Sequence, residues 1–269
     1  MASLVLIAVG MMVGAFGTLI GAGGGFLVVP YLILVNGFSP QAAIGTSLTM
    51  VFFNALSGTA AYARQKRIDY VTGLWFALAT IPGAVAGAYL SRFFSGRGFA
   101  VTFAVLLLLL ALFMFLRPAP REEAATREEV GPARGKIARR ITDARGRTFT
   151  VVFNLNLGIG LSFLVGFLSS ILGIGGGIIH VPMMVYLLGW PAHLATATSH
   201  FILVNTVLFG AGSHYFLGHV HITDALPLAL GAVAGAQIGA RWSVRIRGRH
   251  IVRWLSLALV LVALRLILG

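Results

Sequence analysis

Two stretches of this sequence join a glycine cluster to an apolar run and a proline: GAGGGFLVVP at 21–30 and GIGGGIIHVP at 173–182. Glycine adopts positive φ and lets a ligand come close to the backbone. A helix starting just after such a cluster turns its unpaired N–H groups and positive dipole end toward the break. That chemistry suits an anion. Gly23, Gly24 and Gly25 in the first stretch, and Gly175, Gly176 and Gly177 in the second, are the candidate substrate-binding backbone. Side chains downstream could complete the site. Ser47, Asn54 and Gly58 fall on one helix face, and Ser199, Thr206 and Gly210 repeat their spacing. Thr46, Thr198, His200 and Asn205 flank the two faces. Hydroxyl and amide donors can replace an anion's hydration without a fixed positive charge.

Each feature also has a plainer reading. Small residues allow helices to pack closely, and polar stripes hydrogen-bond neighbouring helices in membranes. The sequence GAVAGA, at 83–88 and again at 231–236, is read as such packing. His180 and His200 fall inside apolar segments, where each needs a partner. Either could be structural, contact substrate or carry a proton near neutral pH, which leaves proton coupling open. HYFLGHVH at 214–221 has no carboxylate or cysteine to complete a metal site. No GxSxG-like elbow supports a hydrolase built on Ser47 or Ser199. No catalytic residue, metal or cofactor is expected.

The elements that must position these residues are membrane helices. Hydrophobic residues make up 58% of the chain and charged residues 10%, with a mean hydropathy of +0.93. A soluble domain carries about 25% charged residues, so this chain cannot cover a water-facing surface. Apolar segments lie at about 3–20, 25–38, 41–63, 70–91, 99–116, 150–172, 177–190, 193–217, 223–240 and 250–268. The first lacks the basic flank of a signal peptide and has a counterpart at 150–172, so it counts as structure. A membrane repeat at 1–116, a polar cytoplasmic linker at 117–148 and a second membrane repeat at 149–269 follow. The net charge of +13 does not point to nucleic acid. Basic residues cluster at 64–67, 117–147 and 241–249, between apolar segments, as cytoplasmic loops should. The expected partners are a lipid bilayer and a small anion.

At a constant offset of 152, Pro30 meets Pro182, Gly37 meets Gly189, Thr46 and Ser47 meet Thr198 and Ser199, and Gly58 meets Gly210. Each repeat holds five apolar segments. An odd number puts the two repeats in opposite orientations, whether the first two segments cross fully or dip halfway. Charge agrees: RQKR at 64–67 matches FLGH at 216–219, which has no Lys or Arg. The fold class expected is an all-α integral membrane protein of two inverted-topology repeats, with broken short helices at the glycine motifs. Broken helices in matching positions of two such repeats point to a transporter's central site.

Taken together, the paired GxGGG segments, each followed by proline and a TS pair, resemble the sulfite exporter TauE/SafE family over nearly the whole chain outside 117–147. The resemblance implies a bacterial or archaeal inner-membrane permease for sulfite or an organosulfonate. Tyr62 stands where that family often carries histidine. A passive anion channel of the same architecture is the alternative.

Overall fold

Why the chain breaks into helices where it does is legible at the caps. Ser39 accepts the N–H of Ala42 and precedes Pro40, which opens a helix of 25 residues. Asp69 accepts the N–H groups of Val71 and Thr72 at the start of the next helix. Such caps satisfy donors that no helical partner can reach. The computed structural model describes residues 2–93, 96–117 and 136–268. Its helices are α1 (Ala2–Ile20), α2 (Gly25–Leu34), α3 (Pro40–Arg64), α4 (Tyr70–Leu90), α5 (Gly96–Leu116), α6 (Leu155–Leu172), α7 (Gly177–Pro182), α8 (Ala192–Phe216), α9 (Ile222–Ser243) and α10 (Gly248–Leu268). Between α5 and α6 run two strands, β1 (Lys136–Thr142) and β2 (Thr148–Asn154).

Among the described residues, seven helices are long and apolar enough to cross a membrane: α1, α4, α5, α6, α8, α9 and α10. The protein is a multi-pass membrane protein. α3 is as long as α8 but is not among the seven. Its Thr46, Ser47 and Asn54 lower its hydropathy, and all three are fully buried in protein. α2 and α7 are short, as expected, because a helix of ten residues spans only ~15 Å. Pro182 closes α7 after six residues, and the chain continues through a π-helical turn, Met183–Leu187. Proline lacks the N–H that would extend the regular ladder.

The packing pairs exchange between the two halves of the chain. α1 lies along α9, and its counterpart α6 lies along α4. α3 packs on α8 and α9, α8 packs on α3 and α4, and α5 pairs with α10. Glycine sets the closeness of the first two contacts. A Cβ at Gly235 would collide with the carbonyl of Met11, and one at Gly87 with the carbonyl of Phe167. GAVAGA is therefore a packing motif, as read.

One span differs from expectation. The segment 150–172 is not all helix: β2 runs to Asn154, whose side chain caps α6 at the N–H of Leu157. The linker at 117–148 also carries β1, antiparallel to β2, while 118–135 lies outside the described residues. In TFTVVFN, β-branched and aromatic residues alternate in burial, so the run forms a strand despite its hydropathy. Ile141, Val151 and Phe153 face inward, and the Phe153 ring meets Trp190 edge-on at 5.4 Å.

Candidate functional site

Three left-handed glycines make each helix break. Gly21, Gly23 and Gly24 have φ of 81°, 75° and 90°, and Gly173, Gly175 and Gly176 have 73°, 78° and 80°. Any other L-residue would be strained at these angles. The two breaks are pressed against each other. A Cβ at Gly25 would come within 2.6 Å of the Gly173 carbonyl oxygen, and one at Gly177 would strike the Gly21 carbonyl. Gly24 and Gly176 are the N-caps of α2 and α7, and neither helix start has a side-chain cap. Val51 and Leu203, themselves equivalent at the offset of 152, close over Gly23 and Gly175 alike.

The serines clasp the opposite break. The Ser47 hydroxyl is shared between the carbonyls of Gly173, at 3.2 Å, and Gly25, at 3.4 Å. Ser199 donates to the Gly21 carbonyl at 3.2 Å. The threonines beside them hold the neighbouring loops by the same exchange. Thr46 accepts the backbone N–H of His221, and Thr198 that of Asp69, each at 3.1 Å. Those two residues are the N-caps of α9 and α4. Each TS pair therefore ties one repeat to the break and the helix start of the other.

Asn54 is a second support for the first break. Its amide donates to the carbonyls of Gly23, at 2.9 Å, and Gly14, at 3.4 Å, while its oxygen accepts the Thr18 hydroxyl at 2.6 Å. Thr18 has only one proton to give, so at 3.2 Å it accepts from His200. His200 must therefore carry a proton on Nε2. Its place in the first repeat is taken by Leu48, so this bond has no counterpart there. His180 follows the same logic: Ser162 gives its proton to the Gly158 carbonyl and accepts from His180 Nε2.

The remaining expected residues lie less centrally. Thr206 shares its hydroxyl between Thr80 Oγ1, at 2.8 Å, and its own helix at the Ile202 carbonyl. Asn205 turns back to the Phe201 carbonyl of its own helix. Sequence reasoning missed Thr18, Val51, Leu203, Tyr62 and His214. The Tyr62 hydroxyl donates to the Thr18 carbonyl at 2.7 Å, and His214 Nε2 lies 3.0 Å from the Ser170 carbonyl. Tyr62 matches His214, and Thr18 matches Ser170, at the offset of 152. The signal was that offset, applied beyond identical letters.

Residues 6–266 match the family model described as sulfite exporter TauE/SafE. The probable membrane transporter protein YunE of Bacillus subtilis is 36% identical, with 99% of this chain and 98% of YunE covered. A probable membrane transporter protein of Methanocaldococcus jannaschii is 26% identical over 98% of this chain and 94% of its own length. YfcA of Escherichia coli K12, also a probable membrane transporter protein, is 26% identical over 93% and 83%. No solved structure matches this chain.

Proposed function

We propose, on the premise that this chain belongs to the sulfite exporter TauE/SafE family of membrane transporters, that it carries a small sulfur-containing anion such as sulfite or an organosulfonate across the inner membrane. The observation that carries this reading is the pair of glycine breaks, packed face to face, each opening a short helix without a side-chain cap. Uncapped N–H groups and two positive helix ends attract negative charge. No Asp, Glu, Lys or Arg stands among the residues that hold the breaks, which disfavours a divalent cation. Ser47, Ser199 and Asn54 act here by shaping the breaks through their carbonyls. Gly23, Gly24 and Gly25, with Gly175, Gly176 and Gly177, present the backbone to the anion.

Transport then works by alternating access between inverted repeats. Two contacts support the inversion: Thr198, near the start of α8, bonds Asp69 just after α3, and Thr46, near the start of α3, bonds His221 just after α8. Equivalent helices thus run in opposite directions. In this conformation Val51 and Leu203 are buried over the breaks, so they must part to admit substrate.

Purified protein in liposomes tests the proposal. Sulfite, sulfoacetate, taurine, sulfate and a small dicarboxylate are offered on one side. Sulfite or an organosulfonate should be exchanged and, with a driving ion gradient, accumulated. Flux that cannot be driven uphill would assign the passive channel instead. Gly24→Val and Gly176→Val, shown to be folded by gel filtration, should lose flux by at least about tenfold, the cost of displacing one charge-assisted contact. No flux of any sulfur anion, or unchanged flux in both variants, removes the proposal.

A further inference from the structure

A second feature lies at the end of the molecule where the basic segments meet. The α3–α4 loop, the β-hairpin turn, the start of α8 and the α9–α10 loop enclose a recess of about 210 Å³. That is below the ~300–1,000 Å³ of pockets for drug-sized ligands and leaves room for an ion. Its lining includes Arg67, Arg147, Arg245, Arg247 and His193, against a single acid, Asp143. We propose that this recess binds a small oxyanion of phosphate or sulfate type.

Charge balance is the first warrant. Asp143 is already spent: Arg147 reaches one carboxylate oxygen through Nη2 at 2.8 Å and Nε at 2.9 Å. The other oxygen accepts the backbone N–H groups of Arg145 and Arg147. Arg67, Arg245 and Arg247 keep no carboxylate partner among the described residues. Burial is the second warrant. Arg67 is only 4% exposed, yet among the described residues its side chain makes one hydrogen bond, a long one of 3.4 Å from Nη1 to Ser243 Oγ. Burial pulls its pKa down, with Arg147 and Arg145 acting the same way and Asp143 opposing them. A guanidinium still stays protonated, and a buried cation whose nearby carboxylate is already paired with Arg147 is costly. A bound anion supplies the missing charge.

Geometry is the third warrant. Pro191 and Ala192 bring the start of the 25-residue α8 into the recess, and no side chain caps it. The positive end of that helix adds to the guanidinium groups. Planar guanidinium forks match oxyanions bidentately, which is why phosphate and sulfate chemistry fits better than a halide. The bound anion would tie together three segments far apart in sequence, at positions 67, 147 and 245–247. It would also sit at the same end of α8 as Thr198, whose hydroxyl holds Asp69. The site is separate from the glycine breaks and does not depend on their assignment.

The test is calorimetric titration of inorganic phosphate and of sulfate into the purified full chain, in uncharged detergent at low ionic strength. Saturable binding is expected. Arg245→Gln with Arg247→Gln removes two exposed side chains and leaves the core intact, and it should weaken binding by about tenfold or more. Arg67→Gln should weaken it further. Gly176→Val should bind phosphate as wild type does, which separates this site from the transport site. A variant with Glu122, Glu123, Glu128 and Glu129 all changed to Gln, which removes four carboxylates from the linker, is titrated as well. Displacement of phosphate in nanodiscs by phosphatidylglycerol, but not by phosphatidylcholine, makes a lipid headgroup the natural source. No displacement makes it a free anion. Absence of saturable binding in both wild type and the four-Gln variant overturns the proposal, as does unchanged affinity in every arginine variant.

Discussion

Single residues in this protein mostly serve backbone atoms. Ser47, Ser199 and Asn54 were legible as a polar pair of faces beside the glycine clusters, because their spacing repeats. Their acceptors were not legible. A spacing rule gives the face of one helix, whereas the carbonyls they hold belong to another segment, 126 residues away for Ser47 and 178 for Ser199. Asp143 is the clearest case outside the membrane. Burial alone would raise its pKa, but the backbone N–H and guanidinium of Arg147, with the N–H of Arg145, outweigh it and hold the carboxyl below its usual range. A depressed folded pKa gives stability that is present above the ordinary value of ~3.9 and lost as pH falls through the folded value. Hairpin docking should therefore be insensitive to pH between about 5 and 8 and loosen below about 4. Hydrogen exchange of residues 136–154 reads this directly, and Asp143→Asn should exchange faster even at neutral pH. Loosening of the wild type near pH 6 would assign the anchor to another group.

Elements follow the same division between what is local and what is not. The short helices and the GAVAGA packing came from nearby residues and were readable. The hairpin was hidden because its second strand is apolar enough to merge with α6 in any average of hydropathy. α6 also shows how finely packing is set. A Cβ at Gly166 would run into the carbonyl of Thr80 on α4, but at Gly160 it would meet nothing within 4 Å. Gly160→Ala should leave stability unchanged or raise it by up to ~1 kcal/mol. Gly166→Ala should cost ~1–3 kcal/mol by forcing α4 and α6 apart. Thermal unfolding of both variants in detergent checks the pair, and equal melting temperatures would mean that the crossing is loose.

At the scale of the whole molecule, the described parts of the three basic clusters predicted to share a side lie together, at 64–67, 143–147 and 241–247. Ala144 in the hairpin turn donates to the Gln65 carbonyl, and the Gln65 side chain donates to the Ala240 carbonyl at the end of α9. Parity and charge made that much readable from sequence, whereas the exchange of partners between α1–α9 and α6–α4 was not, since it depends on how two repeats dock. Lys66, Arg145 and Arg247 are all exposed on this face, and Phe216 is exposed at the far end of α8. Single cysteines at the first three positions should resist an impermeant thiol reagent in intact cells, and one at Phe216 should react. Labelling at any of the first three, with Phe216 protected, would turn the topology over.

The crosswise clasp also bears on how the protein is made. The break at Gly21 is completed by Ser199, and α1 rests chiefly on α9. When α1 to α5 have left the ribosome, the residues that close their break and cover α1 have not yet been translated. Neither half is a finished unit in the bilayer. The nascent first half must wait, with its glycine turn unclasped, until the second is inserted beside it.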